Sequence, residues 1–136
     1  MIDVSEFETR IGFKLPNIYR EFLMTKNGGS CKKKTILLDN GIEVLCDQLY
    51  GLNKIDELDL DFWYQEFGGE LPSNCVIIGS DPGGGIYLLI KAGSKWQVMY
   101  YDHQYSFESS SGEENTYKAE ISLENLLNLS ENNVSA

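Results

Sequence analysis

The carboxylates are the first side chains in this chain with chemical potential. Residues 56–70 carry six of them (Asp56, Glu57, Asp59, Asp61, Glu66 and Glu70) and neither lysine nor arginine. Clustered acids can hold a divalent cation, and Asp56-Glu57-Leu58-Asp59-Leu60-Asp61 invites that test. The run fails the calcium-loop template, which needs glycine at its sixth position and glutamate at its twelfth. A metal-dependent nuclease would also need basic groups for phosphate, and Lys54 alone does not supply them. A solvated acidic face is the default expectation, and an acidic surface for a partner comes next.

Asp81-Pro82-Gly83-Gly84-Gly85 is the glycine-rich candidate. A phosphate-cradling loop opens a helix and carries lysine and a hydroxyl; this one runs into a strand and has neither. A structural hairpin loop is the expectation. Asp102-His103 holds the single histidine, but neighbouring strand residues point to opposite faces, so the two do not form a dyad. No motif places a serine or cysteine as nucleophile. Cys31, Cys46 and Cys75 are widely spaced with no C-x-x-C, which suggests buried thiols in a reducing compartment rather than a disulfide framework or a metal site. No cofactor and no metal are expected.

The elements that must position these groups can be read from hydrophobic spacing. Asp3 or Ser5 caps a first helix, with Phe7 and Ile11 on its inner face and Gly12 as its stop. In KLPNIYREFLMTKNGG, Pro16 suits the first helical turn, and Ile18, Tyr19, Phe22 and Leu23 make an apolar stripe. Asn27-Gly28-Gly29 ends that helix. Lys32-Lys33-Lys34 reads as a solvated loop or edge guard. Residues 35–38 and 42–46 flank Asp39-Asn40-Gly41 as a hairpin, and residues 48–53 form a loop. A short helix with Leu58, Phe62 and Phe67 inward follows.

Three strands, 75–79, 86–91 and 95–102, are apolar on both faces, as central strands are when both sides are covered. Residues 104–116 read as a polar loop and 117–121 as a short strand. Ser122 caps a last helix bearing Leu123, Leu126, Leu127 and Leu129, and a frayed tail is expected from Ser130. The order predicts one α+β domain over residues 1–136, with an antiparallel-dominated mixed sheet of about five or six strands flanked by helices.

Charge narrows the partners. Eleven basic against 21 acidic residues give −10, which opposes phosphate backbones and anionic membranes and favours a basic protein. Nucleic acid and membrane are therefore not expected as partners. The first residues lack the basic and apolar stretches of a signal peptide, and no apolar run reaches about 18 residues, so a cytoplasmic location is expected. The candidate partner contacts are Asp56, Glu57, Asp59, Asp61, Trp63, Glu66, Asp81, Tyr101, His103 and Tyr105: acids for steering, aromatics and histidine for anchorage. Charge reversal at Asp59 and Asp61 is expected to slow association while leaving the fold intact. A monomer or weak homodimer is expected.

KLPNIYREFLMTKNGG resembles the N-terminal signature of the SUKH superfamily: Leu-Pro, Tyr, Phe-Leu, then Asn-Gly-Gly. A second block is similar as well, with Leu71-Pro72 followed by VIIGSDPGGGIYLLI and VMYYDH, and the final helix matches the family's last element. The superfamily includes fungal cell-wall-assembly regulators and many bacterial immunity proteins. The resemblance implies an α+β sheet wrapped by helices, no catalytic activity, and stoichiometric neutralisation of a polymorphic or contact-dependent toxin, often a nuclease. The alternative is a regulatory or scaffolding module of the same fold. A hydrolase using the clustered carboxylates ranks behind both.

Overall fold

The computed structural model describes residues 1–102 and 116–132. Two helices come first. Asp3 caps α1 (Val4–Ile11) by accepting from the Glu6 amide, and Gly12 closes it in the left-handed region at φ 84°. Pro16 stands just outside α2 (Asn17–Thr25) as its N-cap residue, one place earlier than the sequence suggests. Tyr19, Phe22 and Leu23 are buried as expected, but Ile18 on the same stripe is 37% exposed. The buried Glu8 joins the two helices: Oε2 accepts from the Leu15 amide at 2.8 Å and pairs with Arg20 Nε at 3.2 Å.

The sheet has six strands in the order β1 (Gly29–Ser30), β4 (Gln48–Leu49), β5 (Cys75–Ser80), β6 (Ile86–Ala92), β7 (Lys95–Tyr101), β8 (Thr116–Lys118). Every pairing is antiparallel. The α+β architecture and strand number match the sequence reading. Val76, Ile77 and Ile78 are consecutive and fully buried, so β5 is covered on both faces. The same holds for Tyr87, Leu88 and Leu89 of β6.

Helix α3 (Leu60–Phe67) packs on β5, and α4 (Leu123–Leu127), capped by Ser122, packs on β7 and α2. Strands β2 (Thr35–Leu37) and β3 (Glu43–Leu45) form the expected hairpin as a separate two-stranded sheet. It is joined to the end of β8 by a Leu38–Ala119 bridge.

Three further local expectations fail. Gln48 and Leu49 are not loop: their backbone fills the gap between β1 and β5. The helix at 60–67 starts at Leu60, so Leu60 is the fully buried residue while Phe62 is only half-buried. Ser130 is not the start of a frayed tail. Its hydroxyl donates to the Gly28 carbonyl at 2.8 Å, the Glu131 amide donates to Ser30, and Asn132 donates to the Lys26 carbonyl. Amides and carbonyls left free at the sheet edge are satisfied by this return of the chain.

A candidate protein-interaction surface around helix 3

The acidic stretch folds as a 3₁₀ turn (Asp56–Leu58), α3, and a second 3₁₀ turn (Gly68–Glu70). A parallel bridge between Gly51 and Asp59 fixes its start: the Gly51 amide donates to Leu58 and the Leu60 amide donates to Gly51. Two of the six acids serve the fold. Asp59 is the N-cap of α3, taking the Phe62 amide on Oδ2 at 3.1 Å and the Lys54 amide on Oδ1 at 3.2 Å. Asp61 is 8% exposed, and its Oδ2 accepts from Arg10 Nη1 and from Gln65 Nε2. That ion pair ties α1 to α3. These contacts correct the expectation that charge at both positions can be reversed without cost to the fold. The same commitments occupy the carboxylates on which a hydrolase would have drawn.

Asp56, Glu57, Glu66 and Glu70 are exposed. They stand at the two ends of α3, whose eight residues span about 12 Å. Beside Asp56 is Ile55, 71% exposed and, among the described large hydrophobic side chains, the most open after Met1. Its signal in the sequence was an isoleucine flanked by Lys54 and Asp56 in a polar stretch.

The expected aromatic anchors divide. Trp63 is half-buried, stacks on Tyr50 at 5.3 Å and Phe67 at 5.4 Å between ring centres, and donates from Nε1 to the Glu57 carbonyl at 3.0 Å. One edge remains beside the acids while the ring itself braces α3. Tyr101 is 1% exposed, paired between Ile86 and Thr116, and offers no surface to a partner. Its position on β7 accounts for this, because both faces of the central sheet are covered.

Asp81 works inside its own loop. Oδ1 accepts from the Gly85 amide at 2.8 Å, Oδ2 accepts from the Tyr100 hydroxyl at 2.6 Å, and the Asp81 and Gly85 backbones are bonded at 2.9 Å. Burial, reinforced by the Asp81 carboxylate, pushes the Tyr100 hydroxyl well above its ordinary pKa. The glycine-rich segment is a hairpin loop held by an aspartate. His103 and Tyr105 lie outside the described residues, so of the Asp102-His103 pair only Asp102, half-buried, can be placed. Among the described residues no group of three or more His, Cys, Asp or Glu is placed to hold a metal ion, and no helix is long and apolar enough to cross a membrane.

A surface the sequence did not suggest is a groove between α2 and α4, lined by Ile18, Phe22, Met24 and Leu127 with Glu21 and Glu124 at its rim. Met24 is 61% exposed there. The helical spacing of Ile18 from Phe22 places it on the buried stripe, but spacing alone does not show how far the covering helix reaches.

A model of the SMI1 / KNR4 family (SUKH-1) matches residues 2–128. The chain belongs to that family. No curated protein and no solved structure matches the chain. The match runs from the residue before the Asp3 cap to the end of α4, so the SUKH-1 unit takes in the whole sheet, the hairpin and α3. Membership is consistent with a role in protein–protein interaction.

Proposed function

We propose that this protein is an immunity protein that binds a toxin domain, of the nuclease class, and neutralises it by stoichiometric occlusion. The observation that carries the reading is the pairing of SUKH-1 membership with a net charge of −10. Nucleases carry basic clefts for their phosphate substrate, and an acidic inhibitor is drawn to such a cleft with association accelerated by steering. Exposed Asp56, Glu57 and Glu66, with Ile55 and the open edge of Trp63, form the face proposed to meet it. Asp59 and Asp61 hold that face in shape. The action is binding rather than catalysis, in the cytoplasm of the producing cell, with no cofactor.

The test is co-expression with candidate toxin domains, preferably one encoded beside it, scored by rescue of growth and by a one-to-one complex on size exclusion. Failure to rescue, together with no complex, rejects the reading. A stable complex with a partner that harms no cell would instead favour a regulatory module of this family.

A further inference from the structure

Cys31 and Cys46 lie fifteen positions apart in the chain, yet their sulfurs are 3.1 Å from one another. Both are buried, at 8% and 3% exposure, and both are free thiols. They meet where the edge of the sheet is thinnest. Strand β1 pairs with β4 through only Gly29–Leu49 and Ser30–Gln48, and the Cys31 amide extends that ladder to the Asp47 carbonyl at 3.0 Å. Cys31 is also bridged to Ser130, so the returning C-terminal segment is held at the same point. A sulfur–sulfur bond is about 2.05 Å long, so the pair needs to close by roughly 1 Å.

We propose that Cys31 and Cys46 are a site of reversible disulfide formation, made by exchange with a small-molecule disulfide such as oxidised glutathione, which staples the β1–β4 edge to the base of the β2–β3 hairpin. In the first step the Cys31 thiol, the more accessible of the two, loses its proton to solvent and attacks one glutathione sulfur. A Cys31–glutathione bond forms, the glutathione S–S bond breaks, and glutathione thiolate leaves. In the second step Cys46 gives up its proton and attacks Cys31 Sγ. The internal bond forms, and the second glutathione leaves as thiolate. Two protein thiols are oxidised, one small disulfide is reduced to two thiols, and the two protons released balance the two thiolates.

Exposure and distance order these steps: Cys31 is the more open of the two thiols, and Cys46 lies 3.1 Å behind it. The hydrogen bond with Cys31 is the largest influence holding the Cys46 thiol protonated, with burial second. Once Cys31 carries glutathione, Cys46 is the thiol whose sulfur already lies against Cys31 Sγ, and it acts as the resolving thiol. Cys75, opposite Ile90 on β5, is the internal reference: burial pushes its thiol up to about 12, which leaves it little thiolate for exchange.

The site is tested on the whole chain with oxidised glutathione at neutral pH, followed by alkylation, tryptic digestion and mass spectrometry. Cleavage at Lys32, Lys34, Lys54 and Lys91 places the three cysteines on different peptides. The expected product is 2 Da lighter than the reduced chain, with the Cys31 and Cys46 peptides linked and Cys75 alkylated. Its thermal midpoint is expected to rise by roughly 5–10 °C, as closing a loop of about 15 residues implies. The Lys32 and Glu131 amides, which bond to Leu129 and Ser30, should exchange hydrogen more slowly. Cys31→Ser and Cys46→Ser should each lose the 2 Da shift, and Cys75→Ser should keep it. Three free thiols after prolonged exposure, a glutathione adduct that never resolves, or a link involving Cys75 would each overturn the assignment. A Cys31–Cys46 link with no rise in midpoint would overturn its role as a staple.

Discussion

Asp61 sits in the first turn of α3 with Oδ2 shared by Arg10 and Gln65, while Oδ1 is buried without a hydrogen-bond partner. Removing the carboxylate leaves Arg10 half in water, since that side chain is 45% exposed, so Asp61→Ala should cost only about 1–3 kcal/mol. Reversing it is far worse. Asp61→Lys buries a second cation beside Arg10 and should cost about 3–5 kcal/mol, a large share of the stability of any small domain. Glu66→Lys, on the exposed side of the same helix, should stay within about 0.5 kcal/mol. Urea denaturation of the three variants checks the order; equal midpoints for Asp61→Lys and Glu66→Lys would remove the Arg10–Asp61 tie from the account. Sequence alone could not separate these acids, because both are charged residues in one acidic run. What distinguishes them is Arg10, 51 positions away.

At the scale of elements, the Asp81–Gly85 loop offers a graded test. A methyl group at Gly83 meets only Asp81 Oδ1 at 3.5 Å, so Gly83→Ala should change stability by less than about 0.5 kcal/mol. Gly84 has free space around it but φ +97°, and Gly84→Ala should cost about 1 kcal/mol from the left-handed backbone alone. At Gly85 a methyl would collide with the Tyr100 hydroxyl and break its bond to Asp81, so Gly85→Ala should cost about 3 kcal/mol. Thermal melts of the three alanines read the series, and a Gly85→Ala midpoint no lower than that of Gly84→Ala would contradict it. Strands 75–80, 86–92 and 95–101 were legible in the sequence because each is a dense apolar run bounded by turn residues. Helices α1 and α2 were legible from Asp3, Gly12 and Asn27-Gly28. Two-residue β1 and β4 were not, since Gly29-Ser30 and Gln48-Leu49 are too short to carry an alternation. They exist because β5 supplies a partner edge. The face around α3 was legible as charge but not as geometry: exposure of Ile55 and burial of Tyr101 are decided by which neighbours cover them.

For the whole molecule, ionisation and net charge govern behaviour at opposite ends. Burial raises the hydroxyl pKa values of Tyr19, Tyr50, Tyr87 and Tyr100, that of Tyr50 to about 12, from an ordinary value of 10.0. Above pH 10 the unfolded chain releases these protons while the folded chain keeps them, so stability falls as pH rises through this window and is fully present below it. Each such tyrosine can contribute up to about 1.4 kcal/mol of loss per pH unit there, and buried thiols begin the decline near pH 9. Urea midpoints measured in reductant should therefore drop steeply between pH 10 and 11; a constant midpoint would mean these hydroxyls are solvated. Near neutral pH the matter is association. A charge of −10 sets up a field that draws in a basic partner, screened over about 8 Å at physiological salt. Asp56→Asn, Glu57→Gln and Glu66→Gln combined remove three exposed charges without touching the Asp59 cap or the Arg10–Asp61 pair. The triple variant should fold with an unchanged midpoint, bind the proposed toxin partner roughly tenfold more slowly at low salt, and show a flatter dependence of association rate on salt. Its dissociation rate should move less, because rim charges act mainly on encounter. Stopped-flow association at two salt concentrations separates the cases: rates identical to wild type at both would place the interface elsewhere on the molecule, with the α2–α4 groove the next surface to mutate at Met24.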